Sequence, residues 1–400
     1  MIHQYRPSYD WHELLAMLRF GKGRGEFEQA VAARVGSRYG VAFAYGRSAL
    51  VAVCKVLGLA QDEVIIPAYT CNVVAEAVVV SGNKPVFVDV DLADYNMNIG
   101  AMKDALTSKT RVIVATHMHG YPADIGEIRA TVGDDRIVIV EDAALLGPVS
   151  PNLSGIKSRG DIAIFSFGPG KHLYAVRGGV VVTDSADLYE KLRAYRDREM
   201  SSLPGRVWVK RLARLMTGYM MLHASIFEVW NRVNQIGPIE HARDQLGLTK
   251  VSMPNDYATA FTDFQGRVGL TQLRKFDAIL AGHRAWAEFY DRELRDVPGI
   301  ILAPIIEGST YSHYALRVKR RDELDFRQRM RAEGVEVGTA FDSVVPYLEP
   351  YRPYANGPYP CADRLASEVV NLPNYPALSP ANAQHITKTV RKLLLSSDCC

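Results

Sequence analysis

Seven short apolar runs alternate with helix-length segments over the first half of the chain, and this alternation restricts the fold more than any other feature. The runs lie at 41–44, 63–67, 85–90, 111–116, 136–142, 161–167 and 178–183. Near-continuous runs of Val, Ile and Ala are typical of strands that are covered on both faces, and the segments between them suit crossover helices. The sequence therefore predicts an α/β fold with a mostly parallel, seven-stranded sheet and helices on both sides.

The second half of the chain changes character at about residue 266, where a helix-rich stretch begins. Its clearest elements are a strand at 314–318 and helices at 322–333 and 380–395. A chain of 400 residues exceeds one ordinary domain. We therefore predict a large domain at 1–265, with an N-terminal helical arm and a helical insertion at about 201–254, and a small α+β domain at 266–400.

Composition and charge exclude several classes of protein. The chain has 47 Lys and Arg against 44 Asp and Glu, a net charge of +3 without a concentrated basic stripe, which argues against a dedicated nucleic-acid binder. Its five cysteines form no CxxC pair. We therefore expect reduced thiols in a cytoplasmic protein and no structural zinc. No secretory signal is visible, and the most apolar charge-free run, 215–227, is too short to span a bilayer. We therefore expect a cytoplasmic protein.

An amphipathic segment within the insertion has two interpretations. Residues 206–230 place apolar side chains three or four positions apart, behind a basic end that includes Arg206 and Lys210. A helix packed on the domain or across a dimer is the first interpretation. Peripheral contact with an anionic membrane surface through 206–236 is the second.

A lysine on a glycine-containing loop is the first candidate for chemistry. The segment 161–173 is an apolar strand leading to Ser166, followed by Gly-Pro-Gly and Lys171. A lysine shielded from water at a strand end has a lowered pKa and attacks carbonyl groups, whereas the alternative is an ordinary surface lysine beside a turn. A P-loop is excluded, because GxxxxGK[ST] would need Gly and Ser or Thr where the chain has Phe165 and His172.

Two further segments add a carboxylate and an anion site. Asp142 ends the run 136–142, where a carboxylate can face a cationic ring nitrogen or simply cap the next turn. The segment 45–54 begins a helix after a strand, and the amides of Arg47 and Ser48 would open toward an anion such as phosphate. A helix N-terminus, an aspartate and a lysine in this order fit a site for pyridoxal 5′-phosphate (PLP).

At these positions the chain resembles the DegT/StrS-like sugar aminotransferases, a family of fold-type-I PLP-dependent enzymes. The similarity covers roughly residues 25–200 and 255–395. The segments that carry it are GRSAL (46–50), DEVIIPAYT (62–70), KPVFVDVD (84–91), YNM (95–97), HMHGYPAD (117–124), VEDAA (140–144), GDIAIFSF (160–167), GGVVVT (178–183), DFQGRVGLTQL (263–273) and NLPNYP (371–376).

The resemblance implies a role for each matched residue of the cofactor site. Lys171 would bond to the cofactor aldehyde and shuttle the proton between the substrate carbon and the cofactor. Asp142 would hold the pyridine nitrogen protonated. Ser166 would donate to the cofactor phosphate together with the amides near Arg47 and Ser48.

His117 matches a family histidine near the cofactor pocket. The resemblance allows two roles for it, proton transfer or a structural hydrogen bond beneath the cofactor ring, and we count it among the catalytic candidates. His117 and His119 form an HxH pair, but no third ligand is evident, so we predict no metal.

Four features depart from the family pattern. Cys71 stands where an aromatic residue stacks on the cofactor, and Leu145 stands where a glutamine reaches its 3′-oxygen; we still place both in the cofactor site. The asparagine that a partner subunit contributes to the phosphate has no clean equivalent, because Asn-Asp-Tyr at 255–257 is out of register. Where the family has a Gly-Glu-Gly-type turn after the lysine, this chain has the sequence AVRGG at 175–179.

The resemblance implies a PLP-dependent aminotransferase that is a homodimer with shared active sites. An amino acid, expected to be L-glutamate, would convert PLP to pyridoxamine phosphate (PMP), which would aminate a nucleotide-linked keto-sugar for amino-sugar, polysaccharide or secondary-metabolite biosynthesis. Tyr121, Tyr174 and Arg177 are the candidates for contact with this acceptor.

Two alternatives remain open at the level of the sequence. The first is a PLP-dependent sugar dehydratase or another eliminating enzyme. The dehydratase branch of the family has histidine in place of the lysine, whereas Lys171 is retained here, with His172 beside it. The second is a non-catalytic regulatory member of the family, for which Cys71 and Leu145 would be signs of a decayed site.

Overall fold

A seven-stranded sheet forms the centre of the predicted large domain. In this computed structural model, the described residues are 1–19, 21–151, 159–202, 209, 213, 249–318, 323–339, 341 and 343–395. The strands are β1 (Tyr39–Phe43), β2 (Glu63–Pro67), β3 (Lys84–Val88), β4 (Thr110–Thr116), β5 (Val138–Asp142), β6 (Ile162–Ser166) and β7 (Gly179–Thr183). Their order is β1-β7-β6-β5-β4-β2-β3, and only β7 runs antiparallel to its neighbours. The predicted fold class and all seven predicted strands are confirmed.

Helices cover both faces of this sheet and build the rest of the structure. In the large domain they are α1 (Trp11–Leu18), α2 (Arg24–Arg34), α3 (Gly46–Val56), α4 (Asn72–Val80), α5 (Ile99–Asp104), α6 (Ile125–Val132) and α7 (Ala186–Glu199). Further along the chain they are α8 (Asp263–Leu294), α9 (Glu323–Ala332), α10 (Pro360–Glu368) and α11 (Pro380–Leu395).

The central residues of the strands are apolar because successive side chains enter different cores. In β2, Val64 and Ile66 belong to the core beneath α3 and α4, whereas Ile65 between them belongs to the core beneath α5 and α6. Ile113 of β4 lies in that second core as well. A strand buried on both faces has no polar face, so its sequence does not alternate.

A small antiparallel sheet lies in the second half of the chain. It consists of β8 (Ile300–Ile301), β9 (Tyr314–Val318) and β10 (Val369–Leu372), in the order β10-β9-β8. The long helix α8 leads to it and contacts α1 and α2 on one side and α11 on the other. The predicted boundary between residues 265 and 266 falls in the first turn of α8, and the division into two domains at that point stays a prediction.

The N-terminal residues run as an arm between the two sheets. Ile2 pairs with Val335 in a parallel bridge, and His3 Nδ1 lies 2.9 Å from Glu336 Oε2. Farther along, the Tyr9 hydroxyl donates to the backbone carbonyl of Tyr174 at 3.0 Å. The arm thereby connects the segment before β10 to the loop that follows β6.

The amphipathic insertion contributes little to the described structure. Of the segment 206–236, which carried the predicted membrane contact, only Val209 and Ala213 are described, so both interpretations of it lie outside the described residues. None of the described helices has the length and apolar character needed to cross a membrane.

Candidate active site

A cavity of about 560 Å³ opens where the parallel strands end. Thr116 of β4, Asp142 of β5 and Ser166 of β6 line it, at the carboxyl ends of three adjacent strands. Ligands bind at this edge in open α/β sheets. Seven of the residues predicted for the site lie in the cavity wall: Arg47, Cys71, Asp142, Leu145, Ser166, Lys171 and Arg177.

Lys171 and Asp142 bring opposite charges into the same cavity. Asp142 is half-buried at the end of β5, and its Oδ1 accepts the amide of Ala144 at 3.1 Å. Its partial removal from water raises the pKa of Asp142, while the Lys171 ammonium opposes that rise. A carboxylate in such surroundings stays charged most readily with a cationic partner. The pair therefore suits a ligand that carries a protonated ring nitrogen.

The N-terminus of α3 opens into the cavity beside Ser166. The N-cap residue, Tyr45, makes no capping hydrogen bond with its side chain, and the first turn contains no acidic residue. A Cβ atom added to Gly46 would lie 3.4 Å from the Ser166 Cβ and 3.7 Å from its hydroxyl oxygen, so that hydroxyl flanks the helix start. Unpaired amides and the positive end of the helix dipole favour an anion here.

The Arg47 side chain is neutralised by a buried carboxylate. Its Nη1 donates to Glu76 Oε2, and the Glu76 side chain is fully buried on α4. The other Glu76 oxygen accepts the amide of Ser252 at 3.1 Å. Burial raises the pKa of Glu76, and the Arg47 charge opposes the rise. Arg47 is thus a member of the cavity wall whose charge is already compensated.

Cys71 and Leu145 take the places where the family has larger or polar side chains. Both line the cavity. Burial raises the pKa of the Cys71 thiol, against the opposing influence of the Lys171 and Arg47 charges. The thiol therefore contributes a small neutral side chain to the cavity wall.

His117 lies outside the cavity wall, and both of its ring nitrogens are occupied. Nε2 lies 3.0 Å from Glu141 Oε2, and Nδ1 accepts the amide of Ala123 at 3.0 Å. An acceptor at Nδ1 means that Nε2 carries the proton and donates to Glu141. This arrangement favours the structural role over proton transfer, which would need a free ring nitrogen.

Ser48, Tyr121 and Tyr174 also lie outside the cavity wall. The Ser48 hydroxyl donates to the carbonyl of Tyr257 at 2.7 Å, so it fixes a loop over α3. Tyr121 is buried among the rings of Tyr95 and Tyr311, and Tyr174 stacks on Tyr9 with ring centroids 5.2 Å apart. The structure therefore does not bring these two tyrosines to the position predicted for the acceptor.

The arm and the second half of the chain add residues to the cavity that the sequence did not single out. Gln4 and Tyr5 of the arm line it, and the Tyr5 hydroxyl donates to the Lys171 carbonyl at 3.4 Å. His313 lines it as well, and burial lowers the pKa of His313 to about 3. No short motif marks these residues, because they come from segments far apart in the chain.

Asn374 lines the cavity and has an unpaired acceptor oxygen. It is 3% exposed, and its Nδ2 donates to the Tyr311 carbonyl at 2.8 Å. That bond fixes the orientation of the amide and leaves Oδ1 buried without a hydrogen-bond partner among the described residues. Because an unsatisfied buried acceptor is costly, its presence in the wall points to a ligand that donates to it.

Comparison with known proteins shows which family has this arrangement of residues. The family model of the DegT/DnrJ/EryC1/StrS aminotransferases matches residues 13–391. The chain belongs to this family. A UDP-N-acetyl-3-dehydro-α-D-glucosamine 3-aminotransferase of Acidithiobacillus ferrooxidans is 28% identical over 373 residues, with 92% of this chain and 87% of that protein covered.

Two solved structures share the fold. DesV of S. venezuelae, solved with a ketimine intermediate, has a TM-score of 0.74 and 25% identity, with 96% and 94% of the two chains covered. A putative sugar aminotransferase of Streptococcus pneumoniae in its PMP form has a TM-score of 0.78 and 19% identity, with 99% and 100% covered. The chain is therefore a PLP-dependent aminotransferase of the DegT/DnrJ/EryC1/StrS family.

The residues in the cavity fit PLP. Lys171 would supply an amine for the aldehyde, Asp142 would supply a carboxylate for the ring nitrogen, and the start of α3 with Ser166 would supply donors for the phosphate. Among the described residues, no group of three or more His, Cys, Asp or Glu side chains is placed to hold a metal ion.

Proposed function

We propose that this aminotransferase moves an amino group from L-glutamate to a nucleotide-linked keto-sugar. The presence of Lys171 and Asp142 in one cavity carries the proposal, because this pair is what PLP-dependent transamination requires. The relative from Acidithiobacillus ferrooxidans, whose name describes 3-amination of a UDP-linked dehydro-sugar, supports the class of acceptor. L-glutamate as donor is what the family resemblance implies.

The roles of the chain's own groups follow from their positions. When bound, PLP supplies an electron sink for the carbon that gains or loses the amino group. Asp142 would provide a negative charge for the ring nitrogen of the bound cofactor and so would keep that nitrogen protonated. Lys171 is the only lysine in the cavity wall among the described residues, and it carries the proton to and from the reacting carbon.

Asn374, rather than Tyr121 or Tyr174, is the side chain that we propose for recognition of the acceptor. Its Oδ1 is a hydrogen-bond acceptor in a fixed orientation at the cavity wall, and it would accept a hydrogen bond from a hydroxyl or amine group of the sugar. Sites that satisfy a buried polar group through the substrate discriminate strongly against analogues that lack the matching donor.

The proposal includes a homodimer in the cytoplasm. Free thiols at Cys54, Cys71 and Cys361 support a reducing compartment. The homodimer with shared active sites rests on the family resemblance, and peripheral membrane contact through 206–236 remains a proposal for a lipid-linked acceptor. Flotation with anionic liposomes tests this contact, and a protein that stays wholly in the soluble fraction argues against it.

Elimination chemistry is less well supported than transamination. Lys171 is retained in the cavity, and His172 beside it is turned away, with Nε2 hydrogen-bonded to the Thr310 carbonyl at 3.1 Å. His172 is therefore not placed to replace the lysine. A decayed, non-catalytic site is disfavoured by the joint presence of Lys171, Asp142 and Ser166 in the cavity wall.

An absorption spectrum of the protein with PLP, before and after addition of L-glutamate, tests the proposal. We expect a band of lysine-bound cofactor that bleaches to the PMP form, and no such band in Lys171→Ala. Lys191→Ala, on the exposed face of α7 beside Asp187, serves as the control and should behave like the wild type. A band that ignores L-glutamate points to another donor or to elimination, and no band contradicts the proposal.

A further inference from the structure

Arg177 reaches the start of α3 from the loop that joins β6 to β7. Its Nη1 donates to the Tyr45 hydroxyl at 2.6 Å, and its Cζ lies 5.0 Å from the centroid of the Tyr45 ring. Tyr45 is the N-cap residue of α3. Arg177 therefore places a guanidinium group beside the uncapped amides that open into the cavity.

The residues on either side of Arg177 have positive φ angles, and neighbouring residues fix this part of the backbone. Val176 has φ of 70°, a left-handed conformation that is unusual for a β-branched residue, and Gly178 has φ of 145°. A Cβ atom on Gly178 would lie 2.4 Å from the Phe261 ring. The Arg177 carbonyl accepts Gln265 Nε2 at 2.8 Å. Strained residues of this kind persist where the surrounding structure fixes them and are concentrated at functional sites.

The charge of Arg177 is not compensated in the way that the charge of Arg47 is. Arg47 has the buried Glu76 carboxylate, whereas Arg177 donates to a neutral phenol, and none of the described carboxylates forms an ion pair with it. The Nε atom of Arg177 is buried and has no hydrogen-bond partner among the described residues. The cavity thus contains one arginine that is free to receive an anion.

We propose that Arg177 binds the phosphate group of the cofactor, together with the amides of Gly46 and Arg47 and the hydroxyl of Ser166. This inference rests on the proposed PLP-dependent function and replaces the sequence-based assignment of Arg177 to the acceptor. The Tyr45 hydroxyl donates to Asp256, so it accepts from Arg177 in a fixed orientation and aims the guanidinium at the helix start. A planar guanidinium suits two oxygens of one phosphate.

Titration of the apoenzyme with PLP, followed by absorbance, tests this role. Arg177→Gln should weaken PLP binding by about 10- to 100-fold, because it removes a charge-assisted hydrogen bond. Binding of pyridoxal, which lacks the phosphate, should be unchanged. Arg177→Lys should recover part of the loss, since lysine keeps the charge without the planar donors. Arg136→Gln changes the net charge equally at an exposed position and should bind PLP like the wild type.

Three results would overturn the inference. The first is wild-type PLP affinity in Arg177→Gln, and the second is an equal loss for PLP and pyridoxal. The third is unchanged PLP affinity with a higher KM for L-glutamate or the keto-sugar, which would assign Arg177 to a substrate anion.

The test is separable from that of the proposed function and from a folding defect. Wild-type protein that does not bind PLP contradicts the proposed function, whereas wild-type binding with unaffected variants contradicts only the role of Arg177. Circular dichroism checks the fold of each variant. If Arg177→Gln does not fold, Tyr45→Phe takes its place. This variant keeps the ring and removes the hydroxyl that accepts from Arg177 and donates to Asp256, so the guanidinium loses its fixed orientation. We expect PLP binding to weaken by about 2- to 10-fold, and no change would count against the inference.

Discussion

Gly179 and Gly46 are in backbone contact: a Cβ atom on Gly179 would lie 2.7 Å from both the Cα and the N of Gly46. Because of this contact, β7 packs directly against the first turn of α3. The start of the helix therefore lies beside Ser166, which is paired with Gly179 across the sheet. The anion site therefore depends on a glycine that contributes no side chain to it.

Gly179→Ala should separate β7 from α3 and weaken both folding and PLP binding. The clash is with backbone, which cannot rotate away, so we expect a loss of about 1–3 kcal/mol in the free energy of unfolding. Gly25→Ala on α2 is the matched control, because a Cβ atom there meets nothing within 4 Å, and it should stabilise by about 0.4–1 kcal/mol. Urea denaturation measures both. Equal stability of the two variants would contradict the assigned contact.

Acidification should destabilise the protein through its buried histidines. Burial lowers the pKa of His172 to about 4, and it lowers the pKa of His283 and His313 as well. Between pH 4 and 6.5 the unfolded state binds more protons at His172 than the folded state, so stability is complete above pH 6.5 and falls as the pH drops through this window.

His172→Gln isolates the contribution of one of these histidines. Glutamine can keep the hydrogen bond to the Thr310 carbonyl but does not titrate. We expect the loss of stability between pH 7 and pH 5 to be smaller than in the wild type by roughly 2 kcal/mol, with the remaining loss due to the other histidines. Melting temperatures at the two pH values measure it, and an equal drop in both proteins would rule out the contribution of His172.

Asn374→Leu should impair recognition of the acceptor without affecting the cofactor. The variant removes the buried acceptor oxygen from the cavity, so we expect kcat/KM for a hydroxylated keto-sugar to fall by about 10- to 100-fold. PLP affinity and the bleaching by L-glutamate should be retained. A variant that discriminates keto-sugars from their deoxy analogues as well as the wild type does would refute this role.

Tyr9→Phe should loosen the loop that carries Lys171. The variant removes the hydrogen bond to the Tyr174 carbonyl but keeps the stacked rings, at a cost of about 1 kcal/mol. Faster amide hydrogen exchange at 172–176 is the expected observation. Tyr39→Phe keeps the stacking with Tyr189 on the surface and serves as the control. Unchanged exchange in Tyr9→Phe would show that the arm does not hold the loop.

The sequence predicted the elements that obey local rules. Strands buried on both faces, such as β2, can be recognised because their central residues are all apolar. Asp142 and Ser166 each end such a strand and line the cavity, and their roles toward the cofactor stay predictions. Tyr121 and Tyr174 were predicted at the acceptor because both lie in loops near the matched segments. The direction of a side chain at the end of a segment depends on the rings that pack around it, however, and these come from distant parts of the chain.

Groups contributed over long distances were missed for the same reason. Gln4 and Tyr5 enter the cavity through the N-terminal arm, and Asn374 enters from the end of β10. Asn374 was part of a matched segment, but nothing in that segment shows that one amide oxygen is left unpaired. Such an observation needs the positions of all neighbouring donors.

The antiparallel direction of β7 has a consequence for how the site is assembled. A parallel successor to β6 would have required a crossover connection of a dozen or more residues, usually with a helix, and would have started from the opposite edge of the sheet. Because β7 turns straight back instead, the connection between Ser166 and Gly179 starts and ends at the cavity, with 168–171 and 177–178 in its wall. Lys171 and Arg177 therefore belong to one continuous hairpin connection, and displacement of this connection would remove the proposed aldehyde and phosphate contacts of the cofactor together.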